Sequence, residues 1–293
     1  MKSVINYYYN LSFNDIYQNK HYYYFDSKDF RYFFIKYGGD PEKIPNIYNL
    51  NILLLQQGYY VHKIILNKDG QIITLVDNVP YVLLQAKYYS GKVTYKNIIS
   101  FFNIKINETP INWGNLWENK NDYFEYEMSK VGHKYKHINE SFNYYVGLGE
   151  TAIQLVNSID SKVIKVVSHR RINENDTLFD LYNPLNLIID SRTRDIAEYF
   201  KTNFFNQKNI NSELDNFLHY SNLNIVEGLL FLSRMLYPTY YFDLFEEIIS
   251  NKKDENEIQK ITSLASDYEI ILKRIYKYYQ NKFNFPLIEW LEH

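Results

Sequence analysis

The sequence predicts an α+β protein of two lobes: a small β-rich lobe over residues 1–92, a connector over 93–112, and a larger, mainly helical lobe over 113–293. Three observations carry this. Before residue 92 the apolar residues fall in short aromatic and β-branched runs broken by turn dipeptides, the pattern of antiparallel strands. After residue 113 they recur mostly at helical spacing. Between Val163 and Asp190 two apolar runs flank a polar loop, which predicts one β-hairpin inside the helical lobe. Hydrophobic residues at 46% and aromatic residues at 18% of 293 positions are enough for a core in each lobe.

Taken in order, the tyrosine clusters at Tyr7–Tyr9 and Tyr22–Tyr24 and the run from Phe30 to Ile35 read as strands, ended by Gly38-Gly39-Asp40-Pro41. Over residues 44–57, Ile47, Leu50, Leu53 and Leu54 fall on one helical face, and Gly58 suits a C-terminal stop. Residues 60–66 and 71–76 flank Asn67-Lys68-Asp69-Gly70, whose Asp-Gly predicts a hairpin turn; Asp77-Asn78 then leads into a strand over 79–86. Residues 95–102 read as a helix and 107–112, with Pro110, as a connector. Helices are expected over 113–131, 150–158, 195–205, 212–219, 225–237, 240–250, 255–282 and 286–291. The charge run over 252–257 reads as a solvated helix entrance.

Composition narrows the function. A net charge of −2 gives no electrostatic basis for nucleic-acid binding. No window approaches 18 uncharged apolar residues, so no membrane span is expected. The opening residues lack an apolar core and a small-residue cleavage site, so synthesis in the cytoplasm without a signal peptide is expected. With no cysteine, disulfides, thiol catalysis and cysteine–metal sites are excluded. The 31 tyrosines fit either oxidative cross-linking or the codon bias of an AT-rich genome; the 19 phenylalanines favour the second, because cross-linking has no use for them.

Gly147-Leu148-Gly149-Glu150-Thr151-Ala152 matches a dinucleotide-binding pattern, but no acidic residue stands at the matching strand end, where Ser168 and His169 sit. Glu150 would also bring a negative charge to the pyrophosphate position, so a tight helix entrance is the simpler reading. His133 and His137, with Glu140, have ligand spacing but no glutamate between the histidines, and read as an exposed turn. Neither a Gly-x-Ser-x-Gly elbow nor a P-loop is present.

The two-lobed plan is that of kinase-like phosphotransferases, which need a phosphate-covering loop, a lysine on the third strand, a catalytic base and magnesium carboxylates. No glycine precedes Gly38 where the covering loop belongs. Leu84 takes the lysine's place, and Lys87 points to the other side of a strand. The loop from His169 to Asp176 keeps the histidine, but Arg171 replaces the base, and an arginine cannot accept a proton at neutral pH. Asp176 stands in the asparagine's place, and Asp190 suits the magnesium aspartate. Alternatively, Arg170, Arg171, Arg192 and Arg194 pair with Asp190, Asp195 and Glu198 to brace the hairpin, with Asp195 as an N-cap.

Several segments in a fixed order carry a family resemblance. They are Tyr81-Val82-Leu83-Leu84, Trp113-Gly114-Asn115-Leu116-Trp117 and Tyr144-Tyr145-Val146-Gly147-Leu148-Gly149. His169-Arg170-Arg171, Ser191-Arg192-Thr193-Arg194-Asp195 and Ser233-Arg234-Met235-Leu236-Tyr237-Pro238 complete the set. In these the chain resembles the spore-coat kinase-like proteins of spore-forming Firmicutes, in the YutH branch related to the CotS coat proteins and to the aminoglycoside and choline phosphotransferases. The resemblance implies a kinase-like fold, a place at the spore coat and coat proteins as partners. With the missing residues it leads to a catalytically degraded kinase, a structural or interaction component of the coat with no cofactor. The alternative is an active phosphotransferase using ATP and magnesium through Asp176 and Asp190.

Overall fold

The computed structural model describes residues 1–293 except 103, 110, 111, 174 and 293. In chain order the elements begin with α1 (Lys2–Tyr9), β1 (Tyr17–Gln18), β2 (Tyr22–Ser27), β3 (Phe30–Lys36), α2 (Ile44–Gln56), β4 (Lys63–Ile65), β5 (Thr74–Val76) and β6 (Val79–Ala86). There follow α3 (Tyr95–Phe101), β7 (Lys105–Thr109), α4 (Trp113–Val131), α5 (Lys136–Asn157), β8 (Val163–His169), α6 (Leu178–Leu181), β9 (Leu187–Ser191) and α7 (Arg194–Phe205). The last are α8 (Asn211–Tyr220), α9 (Ile225–Leu236), α10 (Thr239–Ile249), α11 (Glu257–Thr262), α12 (Ala265–Lys282) and α13 (Glu289–Glu292). They form two compact units, residues 1–93 with 175–187, and residues 94–174 with 188–293.

The first unit is an antiparallel sheet in the order β1-β2-β3-β6-β4, with β5 also on β6. Tyr7–Tyr9, expected as strand, closes α1 instead: Ile5 and Tyr9, four residues apart, are both buried, while Tyr7 stays exposed. That is helical spacing; a strand would have put Tyr7 and Tyr9 on one face. The expected hairpin across residues 67–70 is also replaced. The turn forms, with Asn67 Oδ1 accepting the Asp69 and Gln71 amides, but β4 and β5 do not pair with each other. Both pair with β6, β4 opposite Leu83–Gln85 and β5 opposite Val79–Tyr81, so they lie in line along one edge of it. The true hairpin turn is Asp77-Asn78, whose φ values of 50° and 62° match the primed turns that suit strand twist.

Alternation along β3 and β6 builds two cores, one per face of the sheet. Phe25, Tyr32, Phe34 and Leu83 pack with Ile5, Tyr9 and Phe13. On the other face Phe33, Val82, Leu84 and Ala86 pack with Ile44 and Ile47 of α2 and with Phe179 and Leu185. The segment 175–187 is thus part of this unit's core. His62 secures it: its N–H donates to Tyr182 O at 2.9 Å, its Nε2 meets Phe179 O at 3.1 Å, and its ring stacks on Phe179.

In the second unit β7, β8 and β9 form a three-stranded sheet. Residues 105–109, expected as unpaired connector in their second half, are a strand antiparallel to β8; Pro110 lies outside the described residues. The helix α4 has the expected bounds, while α5 begins fourteen residues before the expected 150 (150 − 136 = 14) and carries Gly147 and Gly149 in its interior. With no strand leading into Gly147, the dinucleotide pattern has no structural counterpart. Gly149 serves packing: a Cβ there would stand 2.8 Å from Asn121 Nδ2 on α4. The single helix expected over 255–282 is divided into α11 and α12, and Ser263 Oγ at the break donates back to Lys260 O, a local bond that competes with helix continuation.

Candidate functional site

The loop expected to carry chemistry runs from the end of β8. His169 is buried, and Asp195 receives it twice: Oδ1 accepts the His169 N–H at 3.0 Å, and Oδ2 lies 2.6 Å from Nδ1. A carboxylate on Nδ1 fixes the proton there and orients the ring. Asp195 is therefore not the N-cap of α7; Thr193 holds that position, and the Asp195 carboxylate lies in the first turn, where the helix dipole favours it.

Asp190 is 3% exposed, and both of its oxygens are engaged. Oδ2 accepts Nη1 of Arg194 at 2.8 Å and Nη2 of Arg234 at 3.4 Å. Oδ1 accepts the Ser191 N–H at 2.6 Å and has Lys165 Nζ at 3.9 Å. Arg194 also donates to His169 O at 3.0 Å and Arg170 O at 2.9 Å, tying the loop to α7. Arg234, on α9, lies 3.9 Å above the Trp113 ring. Burial pushes its pKa down to about 10, against the opposing pull of Asp190. Burial likewise lowers Lys165, and Asp190 partly restores it. Two guanidinium groups and an ammonium around one carboxylate repel a divalent cation. Among the described residues, no group of three or more His, Asp or Glu side chains could hold a metal ion.

Of the expected arginine–carboxylate pairs, Arg194–Asp190 forms. Arg192 instead reaches Glu227 at 3.2 Å and Ser221 O at 3.0 Å. Arg171 makes a two-pronged pair with Asp243 of α10, which raises its pKa further. Glu198 pairs with Lys201 at 2.9 Å; burial alone would raise the Glu198 carboxyl, but Lys201, Arg234 and Arg194 outweigh it and hold it low. The sequence gives no sign of Lys165, Glu227 or Asp243, and it marks Arg234 only as part of the Ser233–Pro238 motif, without its partner: Arg234 lies 44 residues from Asp190, and Asp243 lies 72 from Arg171.

Two expected site residues belong to the first unit. Asp176 accepts the Val93 N–H on its carbonyl, as part of the segment that joins the sheet. Leu84 is fully buried in the cluster that holds Phe33, Phe179 and Leu185, and it lies on β6, the sixth strand and after α2; the third strand is β3 (Phe30–Lys36), so the expected place of Leu84 at the third-strand lysine is not met. Lys87, just beyond β6, donates its backbone N–H to Tyr60 Oη at 2.8 Å.

The sequence profile of the spore coat putative kinase YutH family matches residues 2–275. The chain belongs to that family. It is similar to the endospore coat-associated protein YutH of Bacillus subtilis strain 168, at 23% identity over 290 residues, covering 85% of each chain. Among solved structures it resembles an aminoglycoside phosphotransferase from Alicyclobacillus acidocaldarius, with a TM-score of 0.73 at 11% identity over 94% of this chain and 95% of the other. An amicoumacin kinase gives a TM-score of 0.52 at 12% identity over 96% and 92%. The YutH-family chain therefore has the aminoglycoside phosphotransferase-like kinase fold that the resemblance implied. Inside that fold its loop histidine is bound to Asp195, its Arg171 to Asp243 and its Asp190 to arginines.

Proposed function

We propose that this chain is a kinase fold without kinase chemistry, serving as a structural or interaction component of the spore coat among other coat proteins. The observation that carries this is Asp190, whose two oxygens are both engaged, Oδ2 by Arg194 and Arg234 and Oδ1 by the Ser191 amide, so that cations of the chain itself stand where magnesium would bind. Arg171 adds to the reading, because its guanidinium is held by Asp243 and has no basic lone pair to offer a hydroxyl. Membership of a spore-coat family supports the location and the partners.

The test is the thermal midpoint of the purified protein with and without ATP and magnesium. A ligand at about 100 times its dissociation constant adds roughly 2.7 kcal/mol, which for a chain of this size is a rise of roughly 2–4 °C per kcal/mol. We expect no shift with any nucleotide. A magnesium-dependent rise of that size would overturn the reading in favour of a phosphotransferase.

A further inference from the structure

The second unit holds a cavity of about 340 Å³ between α3, α8 and the turn after β9. Its walls are mostly rings: Tyr95 on α3 with Ile99 one turn on, Phe102 just beyond that helix, and Phe217 and Tyr220 on α8. Tyr220, at 73%, is the most exposed large hydrophobic side chain among the described residues. The size lies at the small end of the range for small-molecule sites, about 300–1,000 Å³, and aromatic walls with a few fixed polar groups are their usual lining.

Arg192 supplies the charge. Among the described residues that line the cavity it is the one ionised side chain, and no carboxylate lines it. Its guanidinium lies 4.2 Å from the centre of the Phe102 ring, Nη2 donates to Ser221 O at 3.0 Å, and Nε stands 3.2 Å from Glu227 Oε1. The side chain is only 12% exposed, held by a ring, a carbonyl and a carboxylate outside the cavity lining. Nη1 differs from Nε. It makes no hydrogen bond among the described residues, yet it is not enclosed as Nε is. A guanidinium fixed along one edge and open at another loses little freedom on taking a ligand, and a carboxylate is the acceptor that matches its geometry. Glu227 already offsets much of the Arg192 charge, so affinity must come from the rings as well as from the ion pair.

We propose that this cavity binds a small aromatic carboxylate, with its acid group on Arg192 Nη1 and its ring against the aromatic walls. A bare inorganic anion would leave the rings uncovered, and a neutral aromatic would leave Nη1 without an acceptor. The inference goes beyond the proposed coat role and does not rest on it.

The experiment is a saturation-transfer difference NMR titration of the full chain with 3-phenylpropanoate, and with 3-phenylpropanamide as its uncharged counterpart. We expect saturable binding of the acid at about 1 mM or below, with the amide about tenfold weaker. Arg192→Lys keeps a cation beside Glu227 but loses the planar fork; it should weaken the acid about tenfold and leave the amide unchanged. Tyr220→Ser, at an exposed position where little stability is at stake, should weaken acid and amide alike by severalfold with an unchanged thermal midpoint. The proposal is overturned by a lack of saturable acid binding, by equal binding of acid and amide, or by acid binding that neither variant alters. A peptide ending in phenylalanine separates two sources of the same chemistry. Displacement of the acid by the free C-terminus and not by its amide supports a carboxylate presented by another protein chain; no displacement by either supports a free small acid.

Discussion

Replacing Asp190 by alanine is expected to lower stability by about 3–5 kcal/mol, the usual effect of leaving buried charges without their partner. The carboxylate is the bonding partner of Arg234, which is 4% exposed, and of one Nη of Arg194, with Lys165 close by. Removing it leaves these cations facing one another around a cavity, and Arg194 also positions the His169–Arg170 backbone. At roughly 2–4 °C per kcal/mol, the midpoint should fall by about 6–20 °C. The companion Asp190→Leu with Arg234→Met should recover much of the loss, since well-packed apolar groups replace buried ion pairs at little cost. A carboxylate kept for magnesium behaves in the opposite way, because neutralising it without metal relieves repulsion. Thermal denaturation of Asp190→Ala in metal-free buffer therefore separates the two roles, and an unchanged or raised midpoint would sink the bracing role.

Acid should destabilise the protein well before its carboxylates titrate fully, through His62. Burial pushes its pKa from 6.5 down to about 4, against a smaller opposing effect of the Phe179 carbonyl. The hydrogen-bond arrangement agrees: with Nε2–H donating to Phe179 O, Nδ1 is left to accept from the Tyr60 hydroxyl at 3.3 Å. That hydroxyl oxygen already accepts the amides of Lys87 and Tyr88, so a proton on Nδ1 has no good partner. Because the folded pKa is the lower one, the stability is fully present above pH 6.5. It is lost as pH falls from 6.5 towards 4, where the unfolded chain binds the proton first. The shift corresponds to about 3 kcal/mol at about 1.36 kcal/mol per pKa unit. Urea denaturation at pH 7 and pH 4, for the natural chain and for His62→Gln, isolates this group from the carboxylates. The stability difference between the two proteins should change by about that amount; a constant difference would show that His62 does not titrate in this window.

Most helices and most strands were legible because their signals are local. The helix α4 coincides with its expected residues, α9 has the wide apolar face expected of a buried helix, and Gly58, at a φ of 82°, follows the end of α2. The failures follow from competition between equally good local solutions. Asp69-Gly70 and Asp77-Asn78 are both sound turn sequences, and the length of β6 decided that β4 and β5 would share its edge. Residues 105–109 become a strand because β8 offers an edge, which nothing in the five residues themselves discloses.

What the sequence determined by itself was the chemistry each position can offer. An arginine in place of the base has the same protonation behaviour wherever the chain carries it. Tertiary structure decided what each side chain does instead. Residues 175–187 close the sheet face around Leu84, with His62 gripping Phe179 from 117 residues away. Arg234 and Lys165 converge on Asp190 from α9 and β8, and Arg171 finds Asp243. A buried charge must find a partner of opposite sign. Which partner it finds depends on where the fold returns the chain, and that information is not written near the charge.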